Sequence, residues 1–386
     1  MNQVNRSNTD DIYELFDYQD KFIERGNRAL AAKNELFTRS VHILVIDLSG
    51  KILVCKRPSN KSSYANKLTS SAGGHVEDGE TYEEAAQREL EEELGISPKL
   101  IDYGRFDLVN DVERTIHRLF VCYPSHSELS QITFDPLEVS EHSYKTISEV
   151  NSLLIDKLND LADPFVQAVK CLDNKRQIIL DFDHTLFDWY RFKIDLASKI
   201  KSDLDIVIPL FTAAKDKVEL NGLYNIYDHL KKLASMSGCS YQQLANILES
   251  LLVSANGYLF ADARTFLKTT YRQKSNMVTI VTFGDPENQS LFIDRSIAKS
   301  YINNIVYVTS KDDKPVWFER ISNLSTKAPY VINDDPHEAT HKSLNLAPHT
   351  HHFLVERAGA KYPSIDTHSN YQIVKKLTEI VIPKNI

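Results

Sequence analysis

The stretch Gly74–Ile96, GHVEDGETYEEAAQRELEEELGI, decides how the first part of the chain folds. From Thr81 to Leu94 it contains neither glycine nor proline and is rich in alanine, leucine and glutamate, so a helix is expected there. At 3.6 residues per turn, Glu89, Glu92 and Glu93 fall on one side of that helix. Like charges so close cost stability unless a cation neutralises them, and carboxylate oxygens suit Mg²⁺ or Mn²⁺. Leu90 and Leu94 flank the acidic arc and are expected to anchor the helix to a core. Ala85 and Ala86 are expected to leave room for a ligand, and Arg88 to pair with a carboxylate such as Glu80. Gly74, Gly79 and Gly95 are expected to mark turns at the two ends.

Working outward, the apolar runs Val41–Asp47 and Lys51–Lys56 precede this stretch and read as two strands of a hairpin turned at Ser49-Gly50. A helical stretch is expected over Arg25–Leu36, strands over Leu100–Val109 and Thr115–Tyr123, and a helix over Leu153–Leu172 closing the unit. A solvated acidic helix has no need of the spacing Gly-x5-Glu-x7-Arg-Glu-Leu-x-Glu-Glu-x-Gly-Ile, and every constrained position is filled. This pattern resembles the signature of the Nudix hydrolases. The resemblance implies that Glu89, Glu92 and Glu93 bind the metal, with Glu92 and Glu93 serving catalysis, and that a diphosphate linkage is cleaved. It also implies a further acid from the region Asp135–Val150, where Glu138 and Glu141 are the candidates. The flow of LFTRSVHILV into SSAGGHVEDGE resembles the branch related to isopentenyl-diphosphate isomerase. Those isomerases carry a cysteine before the Nudix loop and a histidine before the first strand, where this chain has Ser70-Ser71 and Thr38-Arg39. Together with the intact Glu92-Glu93 pair, this favours hydrolysis over isomerisation.

The chain has 386 residues, enough for two domains, and the composition of an ordinary globular protein, with 42% hydrophobic and 25% charged residues. A net charge of −8 disfavours nonspecific attachment to nucleic acid or anionic membrane. Cys55, Cys122, Cys171 and Cys239 form no CxxC pair, and three of them sit in apolar surroundings, as reduced core thiols do. The opening MNQVNRSNTDDIYELF lacks the apolar core of a signal peptide, and no run approaches a membrane span. A cytoplasmic location is the expectation.

After the polar seam Asp173–Arg176, the buried-type strand Gln177–Leu180 ends in Asp181-Phe182-Asp183-His184-Thr185. Acids delivered at a strand's carboxyl edge suit phosphate chemistry in open α/β sheets. Met277–Val281 is a second apolar strand, ending in Thr282. Lys314-Pro315 opens a helix after the strand-like Asn304–Thr309, and Tyr330–Ile332 delivers Asn333-Asp334-Asp335. In this order the four motifs resemble the haloacid dehalogenase (HAD) superfamily. The resemblance implies Asp181 as nucleophile, Asp183 as acid and base, Thr282 and Lys314 as holders of the phosphoryl group, and Mg²⁺ between Asp181, Asp183 and Asp334, with Asp335 as the alternative to Asp334. The helical stretch between Thr185 and Thr282 resembles an inserted cap, about residues 188–272. The histidines His337, His341, His349, His351 and His352 match no tight ligand spacing and are expected in loops.

The expected fold class is therefore α/β. An N-terminal Nudix α/β/α sandwich with a mixed sheet (residues 1–172) precedes a C-terminal Rossmann-like parallel sheet with a helical cap (173–386). The expected activity is that of a bifunctional, Mg²⁺-dependent hydrolase (Mn²⁺ as substitute), cutting a small diphosphate or nucleotide-like substrate and then a phosphomonoester, with no nucleic-acid or membrane partner. Two other readings remain open here. One is a phosphatase regulated by a nucleotide-sensing Nudix domain, and the other is isomerase-like activity in the N-terminal half.

Overall fold

The computed structural model describes residues 11–219, 222–339, 349–357 and 371–383, so His341 and the first ten residues lie outside the described part. Two compact units divide between Lys175 and Arg176, and Asn323–Lys327 belong with the first. The fold is α/β in both.

The first unit runs β1 (Tyr13–Phe16), β2 (Phe22–Gly26), α1 (Arg28–Lys33), β3 (Thr38–Val45), β4 (Ile52–Lys56), β5 (Leu68–Thr69), β6 (Ala72–His75), α2 (Tyr82–Leu94), β7 (Leu100–Val109), β8 (Arg114–Cys122), α3 (His126–Gln131), β9 (Glu141–Lys145), α4 (Ile147–Asp156) and α5 (Asp163–Asp173). A mixed sheet has the order β6-β3-β8-β7, a second sheet β5-β4-β9, and β1 pairs with β2. Val41, Ile43 and Val45 of β3 pack with Ala85, Ala86, Leu90 and Leu94 of α2, all fully buried. The helix α2 packs on β3 and β6, and α5 packs on β7 and β8.

The expected helix α2 forms with both ends closed. Thr81 accepts a hydrogen bond from the Glu84 amide, Glu84 accepts one from the Thr81 amide, and Gly95 takes the left-handed conformation at φ +69. Several local expectations change. The helix over Arg25–Leu36 shrinks to α1, because Arg25 and Gly26 pair with β1 and Asn27 caps the helix by accepting from the Leu30 amide at 2.9 Å. The two strands flanking Ser49-Gly50 share only the bridge Ile46–Ile52. Both edges of β3 are already taken, by β6 and β8, so β4 joins the other sheet. The helix over Leu153–Leu172 is broken into α4 and α5, with Pro164 in the first turn of α5. Ala85 and Ala86 fill the core and leave no room for a ligand. Gly74 lies in β6, not in a turn. Of the cysteines, Cys55 and Cys122 are buried, whereas Cys171 and Cys239 are partly exposed.

The second unit runs β10 (Arg176–Leu180), the helices α6 (Trp189–Leu204), α7 (Ile208–Glu219), α8 (Ile226–Ser237), α9 (Tyr241–Leu252) and α10 (Ala261–Tyr271), then β11 (Asn276–Phe283), α11 (Pro286–Asp294), β12 (Asn304–Val308), α12 (Asp313–Ser322), β13 (Tyr330–Asn333), α13 (Pro336–Ala339), β14 (His351–Val355) and β15 (Gln372–Val374). The strands form a parallel sheet in the order β12-β11-β10-β13-β14-β15. From β10 the chain adds β11 and β12 on one side and then returns to add β13 on the other, a reversal that opens a crevice at the carboxyl end of β10. His351 and His352 stand on β14 and not in a loop. Among the described residues no helix is long and apolar enough to cross a membrane.

Candidate active sites

In the first unit, α2 turns Glu89, Glu92 and Glu93 toward a cavity of about 450 Å³. Asp135 and Glu138 extend its acidic wall, and Arg28, Arg57 and Lys61 supply cations. Arg88 organises the acidic side: it donates to Glu80 at 2.9 and 3.1 Å, to Glu89 at 2.8 Å and to the His75 carbonyl at 3.0 Å. Gly73 and Gly74 let β6 pass beneath. A Cβ on Gly73 would stand 2.6 Å from the Val41 carbonyl oxygen, and one on Gly74 would run into the Glu89 carboxylate.

Burial raises the Glu89 carboxyl above its ordinary range. Burial, with Glu89 and Glu138 nearby, pushes Glu93 up to about 8. Of the two further acids considered, Glu138 lines the cavity and pairs with Lys61. Glu141 does not line it. The β4–β9 ladder sets Glu141 opposite Lys56, to which it is bonded at 2.8 Å with 69% of its side chain exposed. His42 also lines this cavity and shares a 2.7 Å hydrogen bond with Ser70, and burial lowers its imidazole to about 3.

In the second unit the four motifs converge at the carboxyl ends of β10, β11 and β13 and the start of α12. Asp181, Asp183, Lys314, Asp334 and Asp335 line a cavity of about 300 Å³. Lys314 is 2% exposed, with Nζ 2.9 Å from Asp181 Oδ2 and 2.8 Å from Glu338 Oε2. Burial opposes its charge, but the two carboxylates outweigh burial and raise its pKa. Burial and the neighbouring Asp181 push Asp183 up to about 7 and also raise Asp334. Asp335 faces Lys311 at 3.5 Å.

Thr282 is set back from this cavity. It is fully buried and its hydroxyl donates to Gln289 Oε1 at 3.2 Å, so Gln289, not Thr282, lines the wall. Gln289, Trp189 and Glu338 escaped the reading of the sequence. Glu338 had a faint signal, an acid in the first turn of a helix opened by Pro336 directly after Asp334-Asp335. Gln289 and Trp189 had none, since only the packing of α11 and α6 brings them to Asp183.

The donor sets fit a hard divalent cation. Both are built of carboxylate oxygens, and the crowding that raises Glu93 and Asp334 is of the kind such a cation relieves. Among the described residues no three ligand-type side chains form a group able to hold a metal ion as they stand. Binding therefore asks carboxylates to leave present ion pairs, such as those of Glu89 with Arg88 and Asp181 with Lys314.

Comparison with known proteins bears chiefly on the first unit. Residues 36–169 match the NUDIX domain. An uncharacterised Nudix hydrolase of Yersinia pestis is 34% identical over 140 residues, which cover 36% of this chain and 75% of that protein. A Nudix hydrolase of Deinococcus radiodurans is 27% identical over 138 residues, covering 36% of this chain and 80% of its own. An uncharacterised Nudix hydrolase of Nostoc is 37% identical over 93 residues, 24% of this chain and 55% of that protein. Among solved structures, DR0079 from Deinococcus radiodurans aligns over 42% of this chain and 99% of its own, at TM-score 0.35 and 22% identity. A haloacid dehalogenase-like family hydrolase from Xanthomonas campestris aligns over 53% of this chain and 88% of its own, at TM-score 0.36 and 16% identity.

Proposed function

The chain belongs, through residues 36–169, to the Nudix hydrolases, and from that premise we propose that it is a bifunctional phosphohydrolase whose second domain (173–386) is a HAD-type phosphatase. In this reading the first domain (1–172) cleaves a diphosphate linkage in a nucleotide-like small molecule, and the second removes the phosphate of the resulting monoester. The observation that carries it is the gathering of Asp181, Asp183, Lys314 and Asp334, distant in sequence, around one cavity at the carboxyl edge of a parallel sheet.

Glu89, Glu92 and Glu93 would hold Mg²⁺ in the first site, and Asp181, the Asp183 carbonyl and Asp334 in the second, with Asp335 as the alternative to Asp334. The bound cation would neutralise phosphoryl charge and acidify a bound water. In the first site Arg28, Arg57 and Lys61 face the phosphate oxygens, and Glu93 takes the proton of the attacking water as the P–O–P bridge breaks. Glu138 stands beside it as a second acceptor, and the products are two monophosphates.

In the second site an oxygen of Asp181 attacks phosphorus, the ester P–O bond breaks, and Asp183 gives its proton to the departing alcohol oxygen. Water then attacks the aspartyl phosphate while Asp183 takes that water's proton, releasing orthophosphate and restoring Asp181. A group at about 7 exchanges protons in both directions near neutrality. Lys314 balances the phosphoryl charge, and Thr282 acts through Gln289.

The experiment is a panel of diphosphates with Mg²⁺: nucleoside triphosphates, dinucleotides, pterin triphosphates and prenyl diphosphates, incubated with the intact chain and followed by mass. At least one compound should pass through a monophosphate to the free alcohol and orthophosphate. A chain that leaves every Nudix product phosphorylated contradicts the serial reading.

A further inference from the structure

We propose that Trp189 and Gln289 are positioning residues in the second unit, gripping Asp183 by both carboxyl oxygens and so aiming the proton it delivers to the departing alcohol. The inference rests on the reading of Asp183 as the acid. It adds two residues from different parts of the fold, and a reason why the cap begins with a tryptophan.

The geometry is closed on every side. Gln289 Nε2 donates to Asp183 Oδ2 at 2.9 Å, and Trp189 Nε1 donates to Asp183 Oδ1. The Gln289 amide is itself fixed, because its Oε1 accepts from the Thr282 hydroxyl at 3.2 Å and its Nε2 also reaches the Phe283 carbonyl at 3.3 Å. That second contact sets the amide orientation, since a carbonyl can only accept. Gly284, at φ +148, makes room for this side chain: a Cβ there would lie 2.8 Å from Gln289 Nε2.

Trp189 is fixed by packing. Its ring lies 4.4 Å from Phe292, 5.6 Å from Phe187 and 5.5 Å from Phe192, centroid to centroid. Gln289 and Phe292 are three residues apart on α11, so one face of that helix carries both the amide that grips Asp183 and the ring that backs Trp189.

Both donors are neutral and buried, with Trp189 5% and Gln289 3% exposed. They add no charge that would draw a phosphate, and although both line the cavity, their side-chain N–H groups are turned to Asp183. A carboxyl held at both oxygens keeps its plane, and proton delivery to a leaving oxygen depends on that plane. Because Trp189 opens α6, the first residue of the cap also sets the acid of the core.

The test uses the full chain with Mg²⁺ and two aryl phosphates, 4-nitrophenyl phosphate, whose leaving group needs little protonation, and phenyl phosphate, whose leaving group needs more. The variants are Trp189→Phe, which keeps the ring contacts, and Gln289→Met, which keeps the length, with Asp183→Asn as reference. On phenyl phosphate, kcat/KM of both variants, which reads the step that expels the alcohol, should fall on the order of 10-fold or more beyond any fall on 4-nitrophenyl phosphate. Equal losses on the two esters, alongside an Asp183→Asn variant that does discriminate between them, would overturn the inference while leaving the acid assignment intact. An Asp183→Asn variant whose kcat/KM falls equally on both esters removes the acid assignment and this inference with it. Should Trp189→Phe fail to fold, Gln289→Met decides alone.

Discussion

Lys314 Nζ lies 2.9 Å from Asp181 Oδ2, and both side chains are almost wholly buried. The only route by which such a lysine keeps its charge is a dense carboxylate environment, and Glu338 completes it at 2.8 Å. The pair is thus a structural element of the second unit as well as part of its site. Lys314→Met should remove phosphatase activity and also destabilise this unit by roughly 3–5 kcal/mol, since two buried carboxylates lose their partner. The protein's two tryptophans, Trp189 and Trp317, both lie in this unit, so denaturant melts followed by tryptophan fluorescence read it directly. Adding Glu338→Gln should recover part of the loss. A Lys314→Met melt equal to wild type rules out the structural role.

Asp181→Asn should abolish monoester hydrolysis and leave diphosphate cleavage running, so a monophosphate accumulates that wild type consumes. An amide keeps the shape of the side chain but is a poor nucleophile and a weaker ligand for a hard cation. Mass analysis of the product mixture is the readout. If the variant turns over the monophosphate as fast as wild type, Asp181 is not the attacking group.

Glu93→Gln should separate stability from activity in the first unit. It removes a carboxyl whose ionisation is disfavoured by burial and by Glu89 and Glu138, so in EDTA the variant's melting temperature should match or exceed that of wild type. Diphosphate cleavage with Mg²⁺ should fall on the order of 100-fold or more. Retained activity would favour a sensing role for this unit over a hydrolytic one.

His229 is fully buried and uses both ring nitrogens: Nε2 donates to the Phe211 carbonyl at 2.9 Å, which leaves Nδ1 to accept from the Tyr224 hydroxyl at 3.0 Å. Burial lowers its pKa from 6.5 to about 4, so the unfolded chain binds the proton more readily than the folded one. Its contribution is complete above pH 6.5 and is lost as pH falls toward 4, reaching about 2 kcal/mol at pH 5. Urea melts of the second unit should therefore weaken between pH 7.5 and pH 5, and His229→Gln should flatten that slope. An identical slope in the variant would show that His229 is not the titrating group.

Much of both sites was legible in the sequence because their geometry is local. One helical turn puts Glu89, Glu92 and Glu93 on a common side, and a strand's end delivers Asp181 and Asp183, or Asp334 and Asp335, whatever surrounds it. Likewise, the N-cap threonine and the glycine after Leu94 bound α2 through bonds that span four residues or fewer. Pairing across the chain decided the rest. Glu138 faces the cavity and Glu141 does not because β9 meets β4 in the register that sets Glu141 opposite Lys56. Val41–Lys56 parts into two sheets because β6 and β8 occupy both edges of β3. Gln289 stands in front of Thr282, and Trp189 reaches Asp183, through the packing of α11 against the first turn of α6. These are contacts between segments whose own sequences carry no mark of the partner, so only the assembled core could select them.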